Sequence, residues 1–177
     1  MTNGIRASKS HVARKWLEQK GLSIDLTHAC FNSGQIHHRK AQSFIEALKS
    51  VDFLKEYGIN SRKENETPTY NSFGKGAITF PLRNEKNEVV NFYAIRIHLE
   101  TQKTEYLNEE GIYPCYPAAQ TTKLYITKNI LDAATLLETR VLENRDAVMA
   151  LNDGELKEQH LNAIDGLQNL KEIIVIN

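Results

Sequence analysis

The chain has 177 residues, of which 41% are apolar and 25% charged, and its formal net charge is zero. That length and balance suit one globular domain or two small ones. No apolar run approaches the length of a membrane-spanning helix. The opening Met1-Thr2-Asn3-Gly4-Ile5-Arg6 lacks the apolar centre of a signal peptide. Cys30 and Cys115 are too few for a four-cysteine zinc site and fit a reducing, cytoplasmic setting. The charge is unevenly spread: residues 1–70 carry 11 Lys/Arg against 7 Asp/Glu, and residues 71–177 carry 11 against 15. This is compatible with a nucleic-acid groove beside a metal-binding sheet, but an imbalance so small is more simply chance asymmetry over a solvated surface.

In chain order, Ser8 or Ser10 caps a predicted helix running to about Lys20. Val12, Ala13, Trp16 and Leu17 form its stripe, and Gly21 sits at the left-handed stop. Ser23-Ile24-Asp25 opens a second short helix, and Asn32-Ser33-Gly34 is a turn. A third helix fits Lys40 to Ser50, on Phe44, Ile45 and Leu48. Residues 57–72 lack periodicity and mark the best boundary. Three parts follow: a helical part over 1–65, an antiparallel part over 66–120 and an α/β part over 121–177.

Alternation of Ile78, Phe80 and Leu82 predicts a strand over 77–83. After a turn at Asn84–Asn87, a second strand covers about 88–98, with Tyr93, Ile95 and Ile97 on one face. Lys103 to Leu107 adds a third, a meander with short connections. The pattern then switches to strand (Lys123–Thr127), helix (Ile130–Arg140), strand (Ala147–Leu151), helix, strand (Lys171–Ile176). Asn152 and Glu155 have capping-box spacing before the second of these helices, which carries Leu156, His160, Ile164 and Leu167. Such alternation predicts a parallel sheet with right-handed crossovers. Its ligand chemistry lies beyond the strand ends at Thr127-Lys128, Leu151-Asn152 and Asn177. The predicted class is α+β leading into α/β.

Four cations stand on or beside the meander: Lys75, Arg83, Arg96 and Lys103. They suit the lining of a nucleic-acid groove, or else are solvated strand-edge charges that discourage aggregation. His28, Cys30, His37 and His38 crowd eleven residues, yet their spacing matches no usual zinc finger, so a structural role is expected. Phe92, Tyr93, Tyr106 and Tyr113 are candidates for base stacking or for packing of the meander. Gly74-Lys75-Gly76 lacks phosphate-loop spacing.

Four stretches together resemble the catalytic core of bacterial DNA primases, most closely the primase-like proteins of Bacteroides-type mobile elements. Trp16-Leu17-Glu18-Gln19-Lys20-Gly21-Leu22-Ser23 is similar to the helix and turn that open that core. Ile78-Thr79-Phe80-Pro81-Leu82-Arg83-Asn84 is similar to its first core strand, and Tyr106-Leu107-Asn108 to a motif after the meander. Thr127-Lys128-Asn129-Ile130-Leu131-Asp132-Ala133 resembles the first strand–helix junction of a Toprim domain. The resemblance implies a helical and antiparallel part packed on a Toprim-like parallel sheet, with a groove between them. It further implies DNA-templated RNA primer synthesis in replication, a magnesium-assisted nucleotidyl transfer. The implied partners are single-stranded template, nucleotides and a replicative helicase, with no membrane.

Departures from the pattern bear on activity. The Toprim motif ends its first strand in glutamate, where this chain has Lys128, and its following glycine is Asn129. Asp132 is retained, and the Asp-x-Asp pair is expected after the third strand, where the sequence in hand ends at Asn177. Glu105 replaces a common cation, residues 112–117 hold no basic residue, and a zinc ribbon is missing from this stretch. No catalytic or metal-ligating residue is therefore assigned. Magnesium is not expected to bind tightly here, and zinc is not expected at all. The chain reads as a fragment of a primase-like protein, expected to make little or no primer by itself, with a non-catalytic nucleic-acid-binding or assembly module as the alternative.

Overall fold

The computed structural model describes residue 5 and residues 10–60, 67–97, 103–139 and 141–176. Ser8, Arg140 and Asn177, named above, lie outside them, as do residues 61–66 of the expected boundary. Helix α1 (His11–Gln19) buries Ala13 and Leu17, four positions apart on one face. Trp16 is half-buried beside them, whereas Val12 is exposed, so the stripe is narrower than predicted. Gly21 takes φ +68, and Leu22 donates back to the Leu17 carbonyl, which stops the helix as expected. In α2 (Ile24–Thr27) the Ser23 hydroxyl accepts from the Leu26 N–H, and the helix stops at His28 with φ 53. Strand β1 (Cys30–Asn32) follows, a three-residue element too short to show a period.

Helix α3 (Gln42–Ser50) has no fully buried side chain. It leads into β2 (Leu54–Asn60) and β3 (Thr67–Ser72), an antiparallel pair with a bulge between Glu56 and Gly58. Paired strands thus occupy the aperiodic stretch around residues 57–72; backbone hydrogen bonds hold them where side-chain pattern does not announce them. The meander comes next, as β4 (Ala77–Arg83), β5 (Val89–Arg96) and β6 (Lys103–Tyr106), and β1 joins its far side in the order β1-β4-β5-β6.

Both faces of β4 are covered. Ile78, Phe80 and Leu82 join Tyr93 and Ile95 in the main core, with Ala133, Ala134 and Val148 of the α/β layer. The other face, carrying Ala77, Thr79 and Pro81, lies under the turn at Gly74. A side-chain carbon added there would stand 3.1 Å from Ala94 Cβ and 3.2 Å from Thr79 Cγ2. Phe53 packs edge-on against Phe92 on the same side, centroids 6.0 Å apart.

The second sheet has the order β10-β8-β9-β7. Its elements are β7 (Tyr113–Pro114), β8 (Lys123–Thr127), α4 (Ile130–Glu138), β9 (Asp146–Ala150), α5 (Glu158–Asp165) and β10 (Glu172–Ile176). Strand β8 runs parallel to both β9 and β10, and β7 runs antiparallel to β9, so the layer is mixed. The two-residue β7 escapes prediction for the same reason as β1. Helix α5 starts later than the spacing of Asn152 and Glu155 suggested. Those two residues form a tight bridge, and Asp153 and Gly154 take φ 53 and 91, which no helix accepts. His160, not Glu155, is the third helical residue: its Nδ1 accepts from the Lys157 N–H at 2.9 Å.

The segment 112–114 hydrogen-bonds to both sheets. Ile112 exchanges two backbone bonds with Arg83 at the end of β4, and Tyr113 pairs with Ala150 of β9. The buried Tyr113 hydroxyl donates to the Thr27 carbonyl at 3.1 Å, and its ring stands edge-on to Phe80. Among the described residues no helix is long and apolar enough to cross a membrane.

Candidate functional site

In a parallel layer the chemistry is placed where strands end. Strand β8 ends at Thr127, and Lys128 follows with its side chain exposed. Asn129 caps α4, its Oδ1 accepting from the Asp132 N–H at 3.0 Å. Its Nδ2 donates to Asp132 Oδ2 at 2.7 Å, so the retained acid is engaged in the cap. The Lys128 carbonyl accepts from Gly154 N–H at 2.7 Å, and the Thr127 carbonyl from Leu151 N–H at 2.9 Å. The Lys128 stem lies over Gly154, where a side-chain carbon would meet Lys128 Cγ at 3.6 Å. The ends of β8 and β9 are therefore locked together with an ammonium at the rim. Among the described residues, no three His, Cys, Asp or Glu side chains stand close enough to hold a metal. Magnesium needs a set of hard oxygen ligands. An ammonium and a carboxylate already hydrogen-bonded to an amide do not supply one.

The register of the meander sorts the four candidate cations. Arg96 lies opposite both Ala77 and Lys103. Directly paired residues share a face. Arg96 and Lys103 thus rise on the face of Ala77, not the Ile78 and Phe80 face that packs on the α/β layer. Lys75 sits in the turn at this same end of β4. Arg83 is at the other end, about 20 Å away at the rise of a strand. Its Nη1 closes the 84–87 turn by donating to the Asn87 carbonyl at 2.8 Å. Three of the cations thus stand at one end of the meander and the fourth at the other. Arg96 Nη2 meets Glu105 Oε1 at 2.8 Å, which neutralises part of the gathering. Beside this pair lies a cavity of ≈ 290 Å³, bounded by Lys55 and Asn71 of the β2–β3 arm.

Tyr106 separates that cavity from a second, of ≈ 190 Å³, where the meander meets the α/β layer. Asn108, Asp153 and Lys157 line the second, and Lys157 Nζ forms an ion pair with Glu109. Among the described residues, the buried Tyr106 hydroxyl oxygen finds no hydrogen-bond partner. Burial, and then the Asp153 charge, hold its pKa well above the usual tyrosine value. The same two causes push Tyr93 up to about 12. Tyr93 and Tyr113 are buried and Phe92 packs on Phe53, so these rings serve packing, while Tyr106 reaches the rim.

The crowded residues of the N-terminal part do not converge. Cys30 Sγ donates to the His28 carbonyl at 3.4 Å, and burial pushes this thiol up. His37 instead stacks edgewise on His38 and Tyr70. Two asparagines matter more than their sequence setting suggests. Buried Asn91 on β5 donates to the carbonyls of Asn108 and Glu110, at 2.8 and 2.7 Å, and accepts from the Asn108 N–H at 3.0 Å. Asn108 Nδ2 in turn donates to the Val90 carbonyl. This clamp fixes the Tyr106-Leu107-Asn108 segment on the meander. A lone Asn inside the apolar run of β5 is the signal that points to it.

A short helical lead-in, an antiparallel meander and a strand–helix layer joined in this order make up the fold of bacterial primase catalytic cores. The DnaG primase catalytic domain solved with single-stranded DNA matches with TM-score 0.73 at 16% identity, over 98% of this chain and 56% of that one. A DNA primase domain from Pseudomonas aeruginosa gives 0.73 at 15%, over 98% and 56%. The RNA polymerase domain of Mycobacterium tuberculosis DnaG, solved with double-stranded DNA, gives 0.65 at 13%, over 99% and 59%. The chain thus spans little more than half the length of these neighbours. At such identities the likeness is one of fold. No protein-family model matches the sequence, and no curated protein matches it significantly.

Proposed function

We propose that this chain is a single-strand nucleic-acid-binding module with the primase-core fold, and that these residues do not themselves polymerise ribonucleotides. The observation that carries this reading is Lys128 at the end of β8, where the resemblance calls for a glutamate. Carboxylates there would hold the metal that activates the attacking hydroxyl. An ammonium repels that metal and attracts phosphate. Tight magnesium binding is accordingly not expected. Solved neighbours of this fold that hold DNA support nucleic acid as the ligand.

A second reading is favoured by β10. Ile173 and Val175 are 45% and 62% exposed on this edge strand, although both faces of a parallel sheet are normally covered. In a longer primase-like polypeptide, for instance one encoded by a mobile element, further elements would cover that face. The activity of the whole would then be DNA-templated primer synthesis, with nucleotides and a helicase as partners.

The test pairs anisotropy of a labelled single-stranded oligonucleotide with incorporation of labelled ribonucleotides on a template. The expected result is salt-sensitive binding that is indifferent to magnesium, with no incorporation. Magnesium-dependent incorporation by these residues would overturn the non-catalytic reading, and absence of binding would overturn the ligand.

A further inference from the structure

Beyond β1 the chain leaves the sheet at the end marked by the paired row Asn32, Ala77, Arg96 and Lys103. Asn32 ties two loops together there. Its Oδ1 accepts from Gly34 N–H at 2.9 Å, its Nδ2 donates to the Phe73 carbonyl at 2.7 Å, and its own carbonyl accepts from Gly76 N–H at 2.7 Å. Gly34 has φ +83, and a side-chain carbon on it would fall 2.7 Å from Lys75 Cγ. The Lys75 stem is thereby laid across Gly34, and its charge is felt at His37. Burial, and then the nearby charges of His38 and Lys75, hold His37 below the usual histidine pKa.

At this end Arg96 is paired with Glu105. Among the described residues, ion pairs engage Lys49, Lys55, Arg96, Lys123 and Lys157, and none engages Arg39, Lys40 or Lys75. Rings stand among the charges. Phe44 is 39% exposed with Lys40 Nζ 5.8 Å from its centroid, and Tyr70 lies 5.2 Å from the His37 ring. Exposed cations interleaved with rings suit a flexible polyanion whose unpaired bases can stack, rather than a duplex.

We infer that Arg39, Lys40 and Lys75, with the adjoining His37 and His38, form a phosphate-contact surface for single-stranded nucleic acid, continuous with Arg96 and Lys103 at the same sheet end. This inference rests on the nucleic-acid-binding reading above and extends it to a stretch that the resemblance leaves unassigned. Glutamine keeps each stem while removing its charge, so the test variant is Arg39→Gln/Lys40→Gln/Lys75→Gln. Its control is Lys86→Gln/Lys171→Gln, two exposed lysines elsewhere. Both are titrated with fluorescein-labelled oligodeoxythymidylate across a salt series, with circular dichroism to check folding. Loss of three phosphate contacts should weaken binding about tenfold or more and flatten the log K against log salt slope by about 2; the control should match wild type. Binding by wild type with no change in the triple variant overturns this surface and leaves the broader reading standing. Failure of wild type to bind overturns both. Unchanged oligonucleotide binding with lost binding to phosphatidylserine vesicles would assign the patch to a membrane and also overturn it.

Discussion

Asn91 shows how one polar residue can order a motif. It sits at 0% exposure in β5 and satisfies two carbonyls and one N–H of the 108–110 segment. Alanine there would leave those groups without partners in a buried place, at about 1–3 kcal/mol for the first and less for those that reach water. Asn91→Ala should therefore cost about 3 kcal/mol in urea unfolding and free the Tyr106-Leu107-Asn108 segment, seen as faster amide exchange at Leu107 and Asn108. Unchanged exchange would mean that other contacts hold the segment. Lys128 was legible in the sequence, because the resemblance calls for a carboxylate at that strand end. Asn91 was not, since its value lies in partners seventeen and nineteen positions away.

Elements were legible in proportion to their length and pattern. The strands Ala77–Arg83 and Lys123–Thr127 carry enough apolar alternation or continuity to be drawn from sequence, and both stand where they were expected. The three residues of β1 and two of β7 hold no period, and β2–β3 is held by its backbone. The start of α5 was misplaced because the pair Asn152 and Glu155 imitates a cap, whereas the working acceptor is a histidine. That substitution makes the helix sensitive to acid. His160 is 0% exposed, and burial, then the Lys157 charge, hold its pKa below 6.5, with the Ala150 carbonyl pulling weakly the other way. Above about pH 6.5 native and unfolded imidazoles are both neutral and its full contribution is present. As pH falls below that value the unfolded chain takes up a proton that the native protein refuses, and stability drops by up to about 1.4 kcal/mol per pH unit until the native pKa is reached. Glutamine at this helical position can accept the same bond without titrating. His160→Gln should show a smaller loss of unfolding free energy between about pH 7 and pH 5, while His37, also depressed, contributes equally to both proteins. An identical pH profile would rule His160 out as the source.

For the molecule as a whole, the order of parts was readable but their junction was not. Nothing in Ile112-Tyr113-Pro114 announces that it bonds to Arg83 on one side and Ala150 on the other. With the Tyr113 hydroxyl held by Thr27, this segment ties the lead-in, meander and α/β layer into one body. Tyr113→Phe should lose about 1 kcal/mol yet keep a single transition, with far- and near-ultraviolet circular dichroism melting together. Two separate transitions in the variant would show that the hydroxyl alone joins the layers.

Fastened this way, the meander and the α/β layer would meet the proposed strand together. A strand with free backbone torsions would follow the joined surface, while a stiff duplex would have to bend to do so. The protein would act as a gauge of flexibility before any base is read.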